Sequence, residues 1–225
     1  MWKEYGKMHL IGNTCYLIKK TSRGGVYAMP PKTQFSAEKI IDAAIRITRR
    51  DGFAAVTARN IGKELSCSVK PIFTAFENMD GVMAATIKAA NGIFIEYMQS
   101  PYKKLSFMQI GLRWIQFSRD EPRLYQLLFM PVSRGTRIFT PLNLSMNFGE
   151  LTDKIIPIIC REFALDEGRA LKLYNQMILH AHGIACLIAA GETDFTEQSI
   201  REIFSETVEG LVMYYKAGGR RENCE

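Results

Sequence analysis

The sequence predicts an all-α protein, with a small N-terminal helix-turn-helix domain followed by a larger helical domain. Three observations indicate this fold class. Apolar residues recur at helical spacing through most of the chain after residue 35. Between Thr57 and Phe76, two short amphipathic stretches flank a polar turn of about four residues. The length of 225 residues suits one small and one larger helical domain, and it allows a substantial core.

The first predicted helix lies in the segment FSAEKIIDAAIRITRRDG. Ser36 is the expected N-cap, and Phe35 and Ile40 are placed as a hydrophobic staple. Gly52 is the expected left-handed stop, because glycine adopts positive φ without strain. The apolar side of this helix is completed by Ile41, Ala44, Ile45 and Ile47.

The next two helices have the outline of a DNA-binding helix-turn-helix. Thr57 is a good N-cap for the first helix, and Ile61 and Leu65 fall on its buried face. Ser68 is expected to cap the second helix, whose first turn holds Pro71, where a missing backbone N–H costs little.

In the second helix, Ile72 and Phe76 are the inward residues. Lys70, Phe73 and Thr74 then face outward, where a recognition helix contacts phosphates and base edges. Asn78 is placed to cap a fourth helix that runs toward Phe94, and about five further helices follow it.

These residues resemble the N-terminal block of TetR-type bacterial transcriptional regulators over residues 36–85. The family's D-G-F element corresponds to residues 51–53, and its T-x-R-x-I-(A/G)-x-x-L helix to residues 57–65. Its final pattern, an aromatic residue, two residues and Phe, corresponds to residues 73–76. Two positions depart from the family. Phe73 replaces a Tyr and Met79 replaces a Lys, and both changes remove an anchor to the DNA backbone.

The resemblance implies a homodimer that binds double-stranded operator DNA and responds to a small molecule. Two recognition helices spaced about one helical turn, roughly 34 Å, would match a pseudo-palindromic operator. The charge distribution agrees with DNA binding by the N-terminal part of the chain. Residues 1–90 carry 14 Lys and Arg against 7 Asp and Glu, whereas residues 91–225 carry 15 against 16. The expected DNA contacts are Thr57, Arg59, Ser68, Lys70, Pro71, Phe73 and Thr74.

The second domain is rich in large apolar side chains, in a chain with 11 Met and 13 Phe. Met lines pockets that adapt to ligands, so a cavity for a largely apolar effector is one interpretation and ordinary core packing is the other. The candidate pocket residues are Met98, Trp114, Phe117, Phe129, Met130, Tyr174, Met177 and His180.

The segment MILHAHGIACLIAAGE resembles the W-x-x-x-HG-x-x-x-L region of one subgroup of TetR-type effector domains, with Leu179 near the Trp position and His182-Gly183 as the pair. Its small residues suit close helix packing, so this helix and the last one are the expected dimer interface. The candidate interface residues are Ala181, Gly183, Ala185, Ala189, Phe204, Val208 and Leu211.

Three regions are predicted: an extension (1–28), the helix-turn-helix domain (29–78) and the ligand-binding and dimerisation domain (79–225). The extension shows no sustained period and precedes Met29-Pro30-Pro31-Lys32, a usual beginning for the family. A start site assigned too early, or a disordered tail, is one interpretation. A basic arm that touches DNA is the other.

Other functional classes lack their motifs. His180 and His182 lie two apart on a predicted helix and so cannot ligate one metal together. No catalytic triad, phosphate loop or dinucleotide fingerprint occurs, so we expect no enzyme activity, no metal and no cofactor. The five cysteines are scattered, which leaves Cys67 as a small turn residue or, alternatively, a redox sensor. No secretory or membrane segment is evident, so a cytoplasmic location is expected.

The predicted function is a DNA-binding transcriptional regulator, a repressor released from its operator by a small, largely apolar effector. The alternative is an effector-free architectural or interaction protein whose second domain binds another protein. An all-helical enzyme is a third class. A large apolar cavity would favour the regulator, and a filled core with an exposed apolar patch would favour the protein partner.

Overall fold

A computed structural model describes residues 8–11, 14–20, 26–29, 35–99, 106–130, 149–193 and 195–218. The predicted helical fold, with a small helix-turn-helix domain before a larger helical domain, is confirmed for the described residues from 35 to 218. The helices in the described part of the chain are α1 (Ala37–Asp51), α2 (Ala58–Glu64), α3 (Lys70–Ala75), α4 (Met79–Gln99), α5 (Phe107–Asp120), α6 (Pro122–Phe129), α7 (Gly149–Phe163), α8 (Glu167–Ala190) and α9 (Glu197–Lys216).

Three short strands precede the helices and form an antiparallel sheet in the order β1-β2-β3. They are β1 (Met8–Ile11), β2 (Thr14–Lys20) and β3 (Val26–Met29). In the central strand, Leu17 pairs with Met8 on one side and with Met29 on the other. The sequence pattern did not predict these strands, because their residues do not alternate between apolar and polar.

The helix-turn-helix domain forms its own small core around α1. Ser36 caps α1 as predicted, since its side chain accepts a hydrogen bond from the backbone N–H of Lys39. Gly52 ends the helix with φ 86° and ψ 163°, so φ is positive but the residue is not in the left-handed helical region that was expected. The buried core residues of this domain are Ile40, Ala43, Ala44, Ile47, Val56, Ile61, Ile72 and Val82.

The turn between α2 and α3 differs from the prediction in one respect. Val69 is the N-cap of α3, and no side chain caps the helix, so the assignment of Ser68 as the cap was wrong. A side-chain cap matters less here because Pro71, in the first turn, has no N–H to satisfy. The chain reverses instead through Ser66, at φ 52°, and the backbone N–H of Cys67 donates to the carbonyl of Gly62.

An aromatic cluster fills the core of the second domain. Phe94 of α4 lies edge-on to Trp114 and Phe117 of α5 and to Phe129 of α6, with ring centroids 5.0 to 5.1 Å apart. Tyr125 of α6 is fully buried against the same rings. Such edge-to-face pairs add roughly 0.5 to 1.5 kcal/mol each beyond area burial. The cluster therefore fixes α4, α5 and α6 relative to one another.

Helix α6 also joins the two domains. At its N-terminus, Glu121 accepts two hydrogen bonds from the Arg49 guanidinium of α1, at 2.9 and 2.7 Å. Further along, the Gln126 side chain donates to the carbonyl of Ala189 in α8 at 2.7 Å. A displacement of α6 would therefore be transmitted to the C-terminal end of α1 through the pair of Arg49 and Glu121. None of the described helices is both long and apolar enough to cross a bilayer.

Helix α4, which leads from one domain to the other, depends on its N-cap. The Asn78 side chain accepts a hydrogen bond from the backbone N–H of Gly81 at 2.9 Å, as predicted. We expect Asn78→Ala to lower the free energy of unfolding by about 0.5 to 2 kcal/mol. Urea denaturation followed by circular dichroism would measure this loss. Asn175→Ala, at an exposed position inside α8, is the control, and an equal loss there would contradict the capping role.

Candidate DNA interface and effector cavity

The outward face of α3 presents the side chains that the sequence predicted. Lys70, Phe73 and Thr74 are exposed, whereas Ile72 is fully buried and anchors the helix to its domain. Phe73 leaves 45% of its surface in solvent although it is apolar. The Thr74 hydroxyl donates to the carbonyl of Lys70 at 2.9 Å, so its oxygen still has lone pairs for a donor on a partner.

The N-terminus of α2 is the second part of the predicted DNA interface. Thr57 caps the helix as predicted and accepts from the backbone N–H of Asn60 at 3.2 Å, so its own O–H can still donate to a phosphate. Arg59 in the first turn and Ser68 in the inter-helix turn are exposed, and Pro71 is half-buried. The structure thus leaves six of the seven predicted contacts exposed.

Ion pairing separates the cations of this domain into two groups. On α1, Arg46 and Arg50 bind Glu64 at 3.0 and 3.1 Å. The hydrogen bonds from these two guanidinium groups hold the pKa of the Glu64 carboxyl below its usual value. In contrast, no described carboxylate lies within ion-pair distance of Arg59 or Lys70. Arg59 and Lys70 are therefore among the cations of this domain, together with Lys39 and Lys63, that form no ion pair with a described carboxylate.

The two departures from the family motif have different settings. Phe73 is exposed on α3 and, without a hydroxyl, can offer only apolar contact there. Met79 begins α4 and packs, partly buried, against the core of the helix-turn-helix domain. At that position the side chain stabilises the domain rather than extending toward a partner.

The second domain contains a small apolar cavity between α4, α5, α7, α8 and α9. Its volume is about 30 Å³, about that of one water molecule and far below the 300 to 1,000 Å³ of typical ligand pockets. A drug-sized molecule therefore enters only if side chains move. The lining residues are Met98, Phe107, Ile110, Gly111, Trp114, Ile155, Tyr174, Met177, Ile178, Ala181 and Phe204.

Met98, Trp114, Tyr174 and Met177 line this cavity as predicted, but the other four candidates do not. Phe117 and Phe129 belong to the aromatic cluster around Phe94, and Met130 packs against the core from outside. His180 lies edge-on to Phe204, with ring centroids 5.6 Å apart. The reason is geometric, because helical spacing turns Phe117 toward α4 and His180 away from the cavity.

Gly111 is the lining residue whose sequence signal was missed. A glycine inside a helix costs about 1 kcal/mol relative to alanine, so it often marks a packing constraint. Here a Cβ added at Gly111 would overlap Cε1 of Phe204. The glycine thus lets the Phe204 ring of α9 lie directly on α5.

A buried hydrogen-bond chain extends from one cavity wall. Trp114 Nε1 donates to the Tyr125 hydroxyl at 3.2 Å, and that hydroxyl lies 2.7 Å from His182 Nδ1. Cys186 Sγ is 3.4 Å from His182 Nε2. Burial lowers the pKa of His182 and raises the pKa of the Tyr125 hydroxyl and of the Cys186 thiol. The chain is therefore a network of neutral groups that ties α5 and α6 to α8.

His180 has the opposite environment on the same helix. Its Nε2 atom is buried and has no hydrogen-bond partner among the described residues. An unpaired buried polar atom costs free energy, so this nitrogen is available to a ligand group or a water molecule.

The predicted dimer interface needs correction. Ala181, Ala185, Ala189, Phe204 and Val208 are buried in the core of their own chain, so their side chains do not form an outer surface. Small size and helical period indicate an interface, but here the same features serve the packing of α8 against α5 and α6 and of α9 against α5 within one chain. Of the seven, Gly183 is exposed and Leu211 is half-buried.

The outer faces of α8 and α9 carry a different apolar set. On α8, Leu171, Leu179 and Leu187 are each between 41% and 52% exposed, and Gly183 lies between the last two at four-residue spacing. On α9, Gly210 is exposed and Met213 leaves 72% of its surface in solvent. We call these six residues the outer stripe. Exposed apolar side chains in a row are typical of a protein interface.

Comparison with solved structures shows the fold class. TetR from Acinetobacter baumannii AYE bound to minocycline is 16% identical with a TM-score of 0.52, over 82% of this chain and 98% of that chain. A protein assigned to the TetR family from a Rhodococcus species is 12% identical with a TM-score of 0.54, over 78% and 98% of the two chains. A protein described as a transcriptional regulator from Pseudomonas aeruginosa PAO1 is 15% identical with a TM-score of 0.56, over 84% and 95%.

No family model and no curated protein matches the sequence. At these identities the similarity concerns the fold. The chain has the two-domain helical fold of TetR-type transcriptional regulators, and the resemblance found in its N-terminal motif is confirmed at that level.

The hydrogen-bond chain of Trp114, Tyr125 and His182 should contribute to the stability of the fold. Tyr125→Phe removes the hydroxyl that receives the Trp114 N–H and contacts His182, so we expect a loss of about 1 kcal/mol in the free energy of unfolding. Tyr214→Phe, at a half-exposed site on α9, is the matched control. Denaturation midpoints of both variants would be compared, and equal stability of Tyr125→Phe and the unmodified protein would refute the contribution.

Proposed function

We propose that the protein is a homodimeric, DNA-binding transcriptional regulator, and that it acts as a repressor. The observation that carries the proposal is the exposed face of α2 and α3, where Arg59 and Lys70 have no carboxylate partner among the described residues. On α1 of the same domain, Arg46 and Arg50 instead pair with Glu64. An exposed helix-turn-helix face with two such cations is suited to a polyanion.

On a duplex, α3 would enter the major groove with its N-terminal residues toward the bases. Lys70 would bind a phosphate or a guanine edge, and Phe73 would contact a thymine methyl group or a sugar. The N-terminus of α2 would face the backbone, with the Thr57 hydroxyl donating to a phosphate. Arg59 and Ser68 would complete this grip, and Pro71 would pack at its edge.

Replacing Lys70 tests the DNA interface. We expect Lys70→Ala to weaken DNA binding, with a smaller salt slope if the ammonium contacts phosphate and an altered base preference if it contacts a base edge. Binding to the DNA upstream of the protein's own coding region would be measured at two salt concentrations. Lys172→Ala, at an exposed site on α8, is the control. Unchanged affinity in Lys70→Ala would contradict the assignment of α3.

A second copy of the chain is the proposed occupant of the outer stripe. Single helix-turn-helix modules bind DNA weakly, and a two-fold dimer supplies two recognition helices to a pseudo-palindromic operator. Gly183 and Gly210 carry no side chain, and nothing lies within 4 Å of the position where a Cβ would be. They would allow close approach of helices while the three leucines and Met213 supply the apolar contact.

Placing a charge in the outer stripe tests this dimer. We expect Leu179→Glu to produce monomers, because two carboxylates would face each other across the two-fold axis at an apolar interface. Sedimentation velocity would give the mass at several concentrations. Gln99→Glu, an exposed change at the end of α4, should leave the mass unchanged. A Leu179→Glu protein that keeps the dimer mass would exclude the stripe as the interface.

The proposed effector is a small, largely apolar molecule that expands the cavity beside Trp114. The volume of about 30 Å³ means that binding must displace side chains, and Met98 and Met177 are flexible enough to move. Trp114 connects the cavity to Tyr125 of α6, and Glu121 of α6 binds Arg49 of α1. Expansion would shift α6 and swing α4, changing the spacing of the two DNA-binding heads. A coupling of about 1 to 3 kcal/mol would suffice.

Filling the cavity tests this route. In Gly111→Ala the added methyl group would displace the Phe204 ring, which lines the cavity, so we expect apolar compounds to lose their effect on DNA binding. Gly92→Ala is the control, because nothing lies within 4 Å of the corresponding position on α4. DNA release would be measured with a panel of hydrophobic molecules. If a compound that releases the unmodified protein acts equally on Gly111→Ala, the effector binds elsewhere.

One observation favours the alternative of an effector-free architectural or interaction protein whose second domain binds another protein. The core is almost filled while the outer stripe is exposed. A larger partner on that stripe would leave the chain monomeric when purified alone. The sedimentation experiment on the unmodified protein therefore distinguishes the two, since a dimer favours the first proposal.

A further inference from the structure

A second, polar cleft lies on the other side of α5 from the apolar cavity. It is bounded by α4, α5 and α9, and its volume of about 350 Å³ is roughly ten times that of the cavity. Among its lining side chains are Arg113 and Arg119 of α5 and Arg201 of α9. The proposed DNA interface lies in the other domain, so the cleft is not part of it.

The described side chains around this cleft carry more positive than negative charge. Three arginines line it, and Glu197, which binds Arg201 at 2.7 Å, is the one carboxylate among its described lining residues. A second carboxylate, Asp120, lies beside the cleft, where it receives the Tyr97 hydroxyl at 2.6 Å and the Gln116 amide at 2.8 Å. Like charges held in one concave surface repel one another, so an anion in the cleft would be bound favourably.

Several of the donors in the cleft are held in place by neighbouring groups. The Arg113 guanidinium lies over the Tyr97 ring, 5.1 Å from its centroid, and also donates to the Tyr97 carbonyl. Arg119 donates through Nη2 to the carbonyl of Phe195 at 2.7 Å. A guanidinium has five N–H donors, so this single bond leaves others for a ligand. Held guanidinium groups lose little entropy when they bind an anion.

A polar side chain extends this donor set. Gln109 lines the cleft, and its Oε1 accepts the backbone N–H of Ser106 at 2.9 Å in the capping box of α5. That bond fixes the amide orientation and leaves the NH₂ group of Gln109 as a further donor. The cleft therefore combines fixed charged donors with a neutral one, which suits an anion with several acceptor oxygens.

We propose that this cleft binds a small, multiply charged anion that carries phosphate or carboxylate groups. Its volume accommodates a molecule larger than a single phosphate ion. Helix α5 carries both sites, because Arg113 lies between the cavity residues Gly111 and Trp114 in the sequence. Anion binding therefore acts on the same helix as the proposed apolar effector, and it requires neither that effector nor DNA.

The test uses two probes of different chemistry on the full chain, inorganic pyrophosphate and citrate. Isothermal titration calorimetry would be done at matched ionic strength against sodium chloride. We expect saturable binding of at least one probe, with one site per chain. Arg201→Gln should weaken that binding at least tenfold, and Glu197→Gln should preserve or strengthen it, because it removes the competing carboxylate. Preference for one probe would identify the anionic group.

The control is Arg169→Gln on α8, an exposed arginine that binds its own carboxylate, Asp166, at 3.3 Å. It should bind the probes as the unmodified protein does. The proposal is overturned if neither probe binds saturably, if Arg201→Gln binds as well as the unmodified protein, or if Arg169→Gln loses as much affinity. Arg201 is exposed, and circular dichroism would establish that its variant is folded.

Discussion

The placement of α6 between the two domains is the constraint on which the remaining structure depends. This helix has eight residues and would not be stable alone in water. It is held at its start by the two bonds between Arg49 and Glu121, and in its middle by Tyr125, whose hydroxyl meets Trp114 and His182. A partly exposed ion pair contributes about 0.2 to 1 kcal/mol, so burial of the aromatic face dominates. The ion pair instead connects that buried face to α1.

This arrangement makes a nearly filled core compatible with the proposed regulation by an effector. A preformed large pocket could admit a ligand without moving the helices around it. A cavity of about 30 Å³ cannot, so any molecule that binds there must displace the residues between α5 and α9. Packed interiors respond to such displacement as units, and the unit most directly attached to Trp114 is α6. The cost of opening the cavity would lower effector affinity and provide the coupling.

The helices and the helix-turn-helix motif could be predicted from the sequence because both depend on local sequence. Caps such as Ser36, Thr57 and Asn78 and the period of Ile61 and Ile72 depend on residues only a few positions apart. The prediction of Ser68 as the cap of α3 was wrong. Pro71 in the first turn has no N–H, so the helix needs a side-chain acceptor less. Pairing of the N-terminal strands was also missed, since their residues do not alternate between apolar and polar.

The cavity and the interface were predicted less well because both depend on which side of a helix faces which neighbour. Phe117 and Phe129 have the size of pocket residues, but the aromatic cluster around Phe94 uses them. Ala181 and Ala185 have the size of interface residues, but the chain buries them itself. The arginines of the polar cleft lie on two helices that are far apart in the sequence. The spacing of residues along the chain therefore could not predict that Arg113 and Arg201 share a cleft.

Selection of duplexes from a random double-stranded DNA library by the purified protein tests the central claim most directly. The account predicts enrichment of a pseudo-palindrome whose half-sites lie about one helical turn, roughly 34 Å, apart. That result would require both the exposed face of α3 and a two-fold dimer. A library that shows no enriched sequence after repeated rounds would contradict the account, because the fold would then serve a function other than operator recognition.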